Sequence, residues 1–129
     1  MKTNWLYIAI LLLVVEKTIQ HIVVTVAFYF NWMDIASTVT VSTTSLMILG
    51  GLVAVLFAIA LLAMIRKHRW SIQLIIALAL FDIVGEFVAQ GRIDIKIPVS
   101  FIVAILLFIL AVTYRKQLDR IQIIQGNPK

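Results

Sequence analysis

The chain has 129 residues, of which 63% are hydrophobic and only 13% are charged, and its mean hydropathy is +1.09. Soluble domains average about 45–50% apolar and about 25% charged residues, so this composition predicts an integral membrane protein. The chain contains no cysteine, which excludes disulfides, thiolate metal sites and cysteine nucleophiles. The net charge of +5 comes from basic residues that flank apolar runs, as they do in membrane proteins, and we expect no nucleic-acid partner.

Four apolar runs follow one another along the chain. They cover approximately residues 5–30, 45–65, 70–90 and 97–114. Each approaches or exceeds the ~20 residues that a helix needs to cross the hydrocarbon core of a bilayer. The tryptophans and tyrosines lie near the ends of these runs, where amphipathic rings meet the lipid headgroups. The sequence therefore predicts a single all-α membrane domain, residues 1–129, built as an antiparallel bundle of four transmembrane helices.

Lysine and arginine are distributed unequally among the connections. Between spans two and three lie Arg66, Lys67 and Arg69, and after span four lie Arg115, Lys116, Arg120 and Lys129. Between spans three and four lie only Arg92 and Lys96. Cytoplasmic loops carry the excess of positive charge, so we predict that both termini and a short tail, 115–129, are cytoplasmic. The predicted location is a membrane crossed several times, the plasma membrane if the source is prokaryotic, with the lipid bilayer as partner.

Polar residues interrupt the first and third runs near their midpoints. They are Glu16, Lys17, Gln20 and His21 in span one, and Asp82, Glu86 and Gln90 in span three. The second set is spaced i, i+4, i+8, which places it on one face of a helix. Ionisable residues inside a membrane are expensive unless paired or hydrated, so they mark candidate functional sites. At ~1.5 Å per residue, the residues from Glu16 to His21 and from Asp82 to Glu86 lie about 16–24 Å from the inner ends of their helices, and we predict that spans one and three face each other or a shared cavity.

The charges in this predicted site do not balance. Glu16, Asp82 and Glu86 supply three carboxyls against the single lysine, Lys17, which lies about 100° around the helix from Glu16 but within about 40° of His21. Unless a bound cation or a protonated histidine supplies the remaining positive charge, we expect at least one carboxyl to be neutral at pH 7, because like charges and burial both disfavour its ionised form.

Three functions fit these polar residues. The interpretation we favour is a transporter, alone or as a homo-oligomer, in which all seven residues bind protons, cations or a small cationic substrate. The second is a membrane-embedded acid/base enzyme or a binder for a lipid or isoprenoid, with the carboxyls as acid and base and His21 as proton shuttle. The third is a structural or assembly subunit whose polar network only fixes how the helices pack. No catalytic motif or cofactor is predicted, and whether the carboxyls hold a metal stays open.

Small residues and helix breakers give finer predictions. Gly50, Ala54 and Ala58, at four-residue spacing in span two, predict close approach of another helix. Residues 31–44 predict a loop with a short extended piece and a capping hydroxyl, Ser42, Thr43 or Thr44, before span two. Gly91 is the predicted end of span three, Pro98 lies in the predicted first turn of span four, and Gly126 is the predicted end of any helix in the tail.

The size of the chain and the glutamate in its first span, Glu16, resemble the small multidrug transporters. This resemblance implies transport. The second acidic ladder, at Asp82 and Glu86, departs from that family, so no residue role is carried over from it.

Overall fold

The computed structural model describes residues 4–32, 34, 37, 42–90, 98–124 and 126, with the side chains of 86, 89, 90 and 98–100 outside the description. Within these ranges the chain folds into helices and contains no strand. The helices are α1 (Trp5–Phe30), α2 (Thr43–Ile65), α3 (Trp70–Gln90) and α4 (Pro98–Ile124). This element order confirms the predicted all-α class and the number of helices.

Two asparagines set the ends of α1. The side-chain oxygen of Asn4 accepts a hydrogen bond from the backbone N–H of Leu6 at 3.1 Å, which caps the first turn. Asn31 adopts a left-handed conformation with φ of 51°, and its N–H donates to the carbonyls of Ala27 and Phe28. Because 26 residues rise about 39 Å as a helix, α1 is longer than the ~30 Å hydrocarbon core.

The connection between α2 and α3 is a tight turn, residues 66–69. Lys67 has φ of 60°, a conformation usually adopted by glycine after a helix, and its N–H donates to Met64 O at 2.9 Å. The N–H of His68 reaches back to Ala63 O, also at 2.9 Å. These two bonds form a Schellman motif that reverses the chain within four residues, so α2 and α3 are antiparallel neighbours, as the short turn predicted.

The four helices form an up-and-down bundle. Packing is most extensive between α1 and α2 and between α3 and α4, and less extensive between α1 and α4 and between α2 and α3. Helices α1 and α3 are therefore diagonal to each other. At one end of the bundle the Asn4 Nδ2 donates to Gln117 Oε1 at 3.3 Å, and the Tyr7 hydroxyl donates to Met64 O at 3.1 Å. The start of α1 thus lies beside the end of α2 and the last turns of α4.

The bundle is apolar both inside and outside. The core combines large and small side chains from every helix, among them Ile10, Val14, Phe57, Ala60, Ile75, Ala79, Leu107 and Ala111. Large apolar side chains also cover the outer surface, including Leu12, Ile19, Leu52, Leu62, Val84 and Ile109. Soluble monomers rarely expose so much contiguous apolar surface, whereas acyl chains solvate it. Three helices are long and apolar enough to cross a membrane: Trp5–Phe30, Thr43–Ile65 and Phe101–Ile124.

Helix α3 is the exception among the four predicted spans. Its continuous apolar stretch within the described residues, Trp70–Gly85, is shorter than those of the other three helices. The side chain of Glu86 lies outside the description, so the stretch is followed only as far as the residue before it. Length and composition therefore support three spans, and the fourth remains a prediction. Gly91, the predicted end of this helix, lies outside the described residues.

Helix α4 is longer than the predicted fourth span, 97–114. It begins at Pro98, as predicted, and continues without interruption through Ile124. The segment after residue 114 contains no glycine or proline until Gly126, which has φ of 66° and lies just beyond the helix. Most of the predicted tail, 115–129, is therefore a direct continuation of the membrane helix.

The connection between α1 and α2 is not extended where the structure describes it. The N–H of Asp34 donates to Asn31 O at 3.3 Å, and Ser37 Oγ donates to Asp34 O at 2.8 Å. These local bonds hold residues 31, 32, 34 and 37 in turns and 3₁₀ geometry in place of a strand. The other residues of 33–41 lie outside the description. Ser42 occupies the N-cap position of α2, but its side chain makes no capping hydrogen bond.

Candidate functional site

The inward face of α1 carries two of the predicted site residues. Ile10 and Val14 are fully buried, and Lys17 and His21 continue the same stripe at intervals of three and four residues. A lysine that extends this apolar stripe must project into the bundle. Its side chain retains only 1% of its accessible surface, although it carries a charge.

The inward face of α3 carries the partner. Ile75, Leu78 and Ala79 are buried, and Asp82 follows one turn later on the same side. The Asp82 side chain keeps 6% of its surface exposed. Since α1 and α3 are diagonal, their inward side chains meet near the bundle axis and not along a helix–helix seam. The structure thus brings spans one and three face to face through side chains, as the sequence predicted.

Four side chains form a connected group, here called the Asp82 cluster: Lys17, Gln20, His21 and Asp82. Lys17 Nζ lies 3.2 Å from Asp82 Oδ2 and donates to Gln20 Oε1 at 2.9 Å. His21 Nε2 lies 2.9 Å from Asp82 Oδ1 and 3.1 Å from Asp82 Oδ2. One carboxylate therefore accepts from an ammonium and from an imidazole at the same time.

The state of Asp82 determines where the imidazole carries its proton. While Asp82 is ionised it can only accept hydrogen bonds, so the tautomer of His21 that bonds to it carries the hydrogen on Nε2. In a neutral ring the other nitrogen, Nδ1, is then the proton acceptor. The His21 side chain keeps 19% of its surface exposed, three times the share of Asp82. Of the two groups in this hydrogen bond, His21 is thus the more accessible.

Neighbouring side chains hold the imidazole in place. The fully buried ring of Phe57 on α2 stacks on His21, with ring centroids 5.6 Å apart and planes inclined by 22°. One turn further along α1, Thr25 Oγ1 donates to His21 O at 2.7 Å. The sequence analysis missed both residues. Thr25 could have been found, because a hydroxyl four residues after a site residue commonly bonds the helix backbone, but nothing in the sequence pairs Phe57 with His21.

The small-residue stripe of α2 lies against this part of α1. A Cβ atom on Gly50 would come within 2.8 Å of Thr25 Oγ1, and one on Gly51 would lie 4.0 Å from Thr25 Cγ2. The backbones of α1 and α2 therefore approach closely one turn from His21, which agrees with the close approach predicted from Gly50, Ala54 and Ala58.

Glu16 does not join the Asp82 cluster in the described part of the chain. Its Oε2 atom is buried and has no hydrogen-bond partner there, although the residue as a whole is only half-buried. The physical reason is the helix itself, since Glu16 and Lys17 project about 100° apart and only one of them can face Asp82. The structure gives that position to Lys17. An ion-binding role for Glu16 stays a prediction, supported by its unsatisfied oxygen.

The remaining predicted residues, Glu86 and Gln90, have side chains outside the description, so the ladder on α3 is seen only at Asp82. Within the described residues there is no group of three or more His, Cys, Asp or Glu side chains that could hold a metal ion. Of the seven predicted residues, the structure therefore brings four together as the Asp82 cluster.

The chemistry of this cluster is that of exchangeable charge. Ammonium, imidazole and carboxyl groups gain and lose protons, and the low polarity around Lys17 and Asp82 strengthens their mutual attraction. No family model, no curated protein and no solved structure matches the chain, so its function is inferred from its own residues.

Proposed function

We propose that this protein crosses the membrane four times, with both termini cytoplasmic, and transports protons or small monovalent cations by way of the Asp82 cluster. The observation that carries the proposal is the Lys17–Asp82 ion pair, 3.2 Å long and almost completely buried, with His21 bonded to the same carboxylate. Ionisable residues at bilayer depth are rare, and those that occur line ion pathways and proton relays.

The arrangement of α3 supports a fourth span. Its 21 residues rise about 31 Å, enough to cross the hydrocarbon core, and its inward carboxylate is paired within the bundle and not exposed to lipid. The basic turn 66–69 and the basic part of α4 lie at the same end of the bundle, where Tyr7 bonds Met64 and Asn4 bonds Gln117. Positive charge collected at one end supports the proposed orientation.

The ion pair supplies a simple way to couple protonation to movement. When Asp82 accepts a proton, its charge disappears and with it most of the attraction that holds the Lys17 ammonium. When the proton leaves, the attraction returns. In this proposal the bundle is closed while the ion pair is formed and opens when the pair is lost. A proton, or a cation that binds Asp82 in place of a proton, can then pass from one side of the site to the other.

The test is flux through the purified protein in liposomes, with a pH-sensitive dye and, separately, a cation-sensitive dye in the lumen. We expect wild-type protein to dissipate an imposed gradient and Asp82→Asn to lose most of this flux. Asp34→Asn is the matched control, since Asp34 is exposed and its φ of 55° suits asparagine as well as aspartate. Absence of flux from folded wild-type protein under proton, Na⁺, K⁺ and ammonium gradients would overturn the proposal.

The second candidate is a structural network, which the completeness of the hydrogen bonding favours. Asp82, His21 and Gln20 are each hydrogen-bonded within the cluster at ordinary bonding distances, as in networks that fix helix packing. In that case Asp82→Asn would lower the free energy of unfolding, and liposomes containing wild-type protein would show no flux under any of the gradients. Measuring unfolding and flux on the same preparations separates the two functions.

A further inference from the structure

We infer that the Lys17 ammonium occupies a binding site for a monovalent cation, formed by Asp82 and Gln20, and that a transported cation must displace it. The transport part rests on the proposed function, whereas the existence of the site does not. The lysine is in this view a substitute for the substrate, attached to the protein by its own side chain.

The ligands around Nζ have the chemistry of a cation site. Asp82 Oδ2, at 3.2 Å, supplies one negative charge, and Gln20 Oε1, at 2.9 Å, supplies a neutral carbonyl oxygen. Oxygen atoms of these two kinds are the ligands that hard cations and ammonium groups take in proteins. The ammonium that these ligands hold carries one positive charge, so the cation that replaces it in this proposal is monovalent.

The second carboxylate interaction helps to shape the site. His21 Nε2 donates to Asp82 from another direction, at 2.9 Å, and Phe57 stacks on the ring and keeps it there. The carboxylate is therefore oriented even when its contact with the ammonium is interrupted. An oriented carboxylate in a buried setting binds a replacement cation without first having to be ordered.

The covalent attachment of the ammonium to α1 explains why it occupies the site in preference to a free cation. Lys17 is part of α1, so its ammonium is present at a high effective concentration beside Asp82, and a free cation in solution competes poorly with it. Shortening the side chain to alanine removes three methylenes and the ammonium, which together have the composition of n-propylammonium. The variant should therefore gain a site for that molecule.

The experiment measures thermal unfolding of Lys17→Ala in detergent with n-propylammonium chloride, and with n-propanol as a neutral molecule of the same number of heavy atoms. We expect Tm to fall in the variant and to recover most of the loss, saturably, with the amine but not with the alcohol. Lys116→Ala, which removes an exposed lysine on α4, is the matched control and should show no such recovery. An equal response of Lys17→Ala and Lys116→Ala to the amine would overturn the inference.

If Lys17→Ala fails to fold, the yield of folded variant is measured after refolding with n-propylammonium and after refolding with n-propanol. Recovery of folded Lys17→Ala with n-propylammonium but not with n-propanol supports the site, and recovery with neither or with both equally contradicts it. The flux assay separates this inference from the proposed function. If n-propylammonium restores the stability of Lys17→Ala but wild-type protein shows no flux, the cation site is supported and the transport proposal is contradicted. If wild-type protein shows flux but the amine restores nothing, transport is supported and the cation site at Asp82 and Gln20 is contradicted.

Discussion

The ion pair between Lys17 and Asp82 makes a prediction about how mutations combine. We consider Lys17→Met, which keeps an unbranched side chain of similar volume, Asp82→Val, and the double variant. Each single change leaves a buried charge beside a group that no longer balances it, while the double change removes both charges together. We therefore expect each single variant to be strongly destabilised and the double variant to lie near wild type.

The magnitudes follow from the geometry. At 3.2 Å two unit charges attract by about 5 kcal/mol at an effective dielectric constant of 20, and removal of one partner from a buried pair costs about 3–5 kcal/mol. Lys17→Met should lie at the lower end, because His21 still donates to Asp82 at 2.9 Å. Neutral hydrogen bonds between membrane helices contribute at most about 1.7 kcal/mol. Two single losses of about 3–5 kcal/mol each with a double variant near wild type correspond to a coupling energy of about 6–10 kcal/mol, well above that of an ordinary polar contact.

The assay is reversible unfolding in mixed micelles by increasing SDS, followed by the fluorescence of the three tryptophans. The four proteins form a double-mutant cycle, from which the coupling free energy is the departure from additivity. Additive effects, with a coupling below about 0.5 kcal/mol, would show that Lys17 and Asp82 do not interact in the folded protein and would refute the reasoning.

Two further predictions concern packing around the cluster. Gly50→Ala should destabilise the bundle by about 1–3 kcal/mol in the same SDS assay, because its new Cβ would lie 2.8 Å from Thr25 Oγ1, whereas Gly51→Ala, 4.0 Å from Thr25 Cγ2, should be tolerated; equal effects would contradict the close approach of α1 and α2. Phe57→Ala should cost about 3–5 kcal/mol by opening a cavity in the core, measured by thermal unfolding. Phe81→Ala, on the exposed side of α3, is its control, and a comparable loss there would show that burial is not the cause.

Much of the fold follows from the sequence because long apolar runs leave few alternatives to helices. Apolar runs of sufficient length specify helices, and a four-residue turn at 66–69 leaves α2 and α3 no arrangement but an antiparallel one. The meeting of the polar faces of α1 and α3 inside the bundle also follows, since ionisable groups are costly on a surface that faces lipid. Hydropathy and helical periodicity together were enough for these features.

Other features depend on atoms that are distant in the sequence. The sequence analysis grouped Glu16 with Asp82, but the rotation of α1 in the bundle turns Lys17 toward the carboxylate, and that rotation is set by packing of every inward residue together. The stack of Phe57 on His21 has the same origin. The sequence allowed a short helix in the tail that ends at Gly126, but it did not predict that this helix continues α4 without a break, because a change from apolar to basic composition does not mark the end of a helix.

The unequal packing of the four helices has a mechanical consequence. The molecule consists of two hairpins, α1 with α2 and α3 with α4, each held together more extensively than it is held to the other. Lys17, Gln20 and His21 belong to the first hairpin and Asp82 to the second. The Lys17–Asp82 ion pair and the His21–Asp82 hydrogen bond therefore connect the two hairpins. Any movement that separates the inward faces of α1 and α3 would have to break the contacts of Lys17 and His21 with Asp82, in addition to the apolar packing and the Asn4–Gln117 bond that also join the two hairpins.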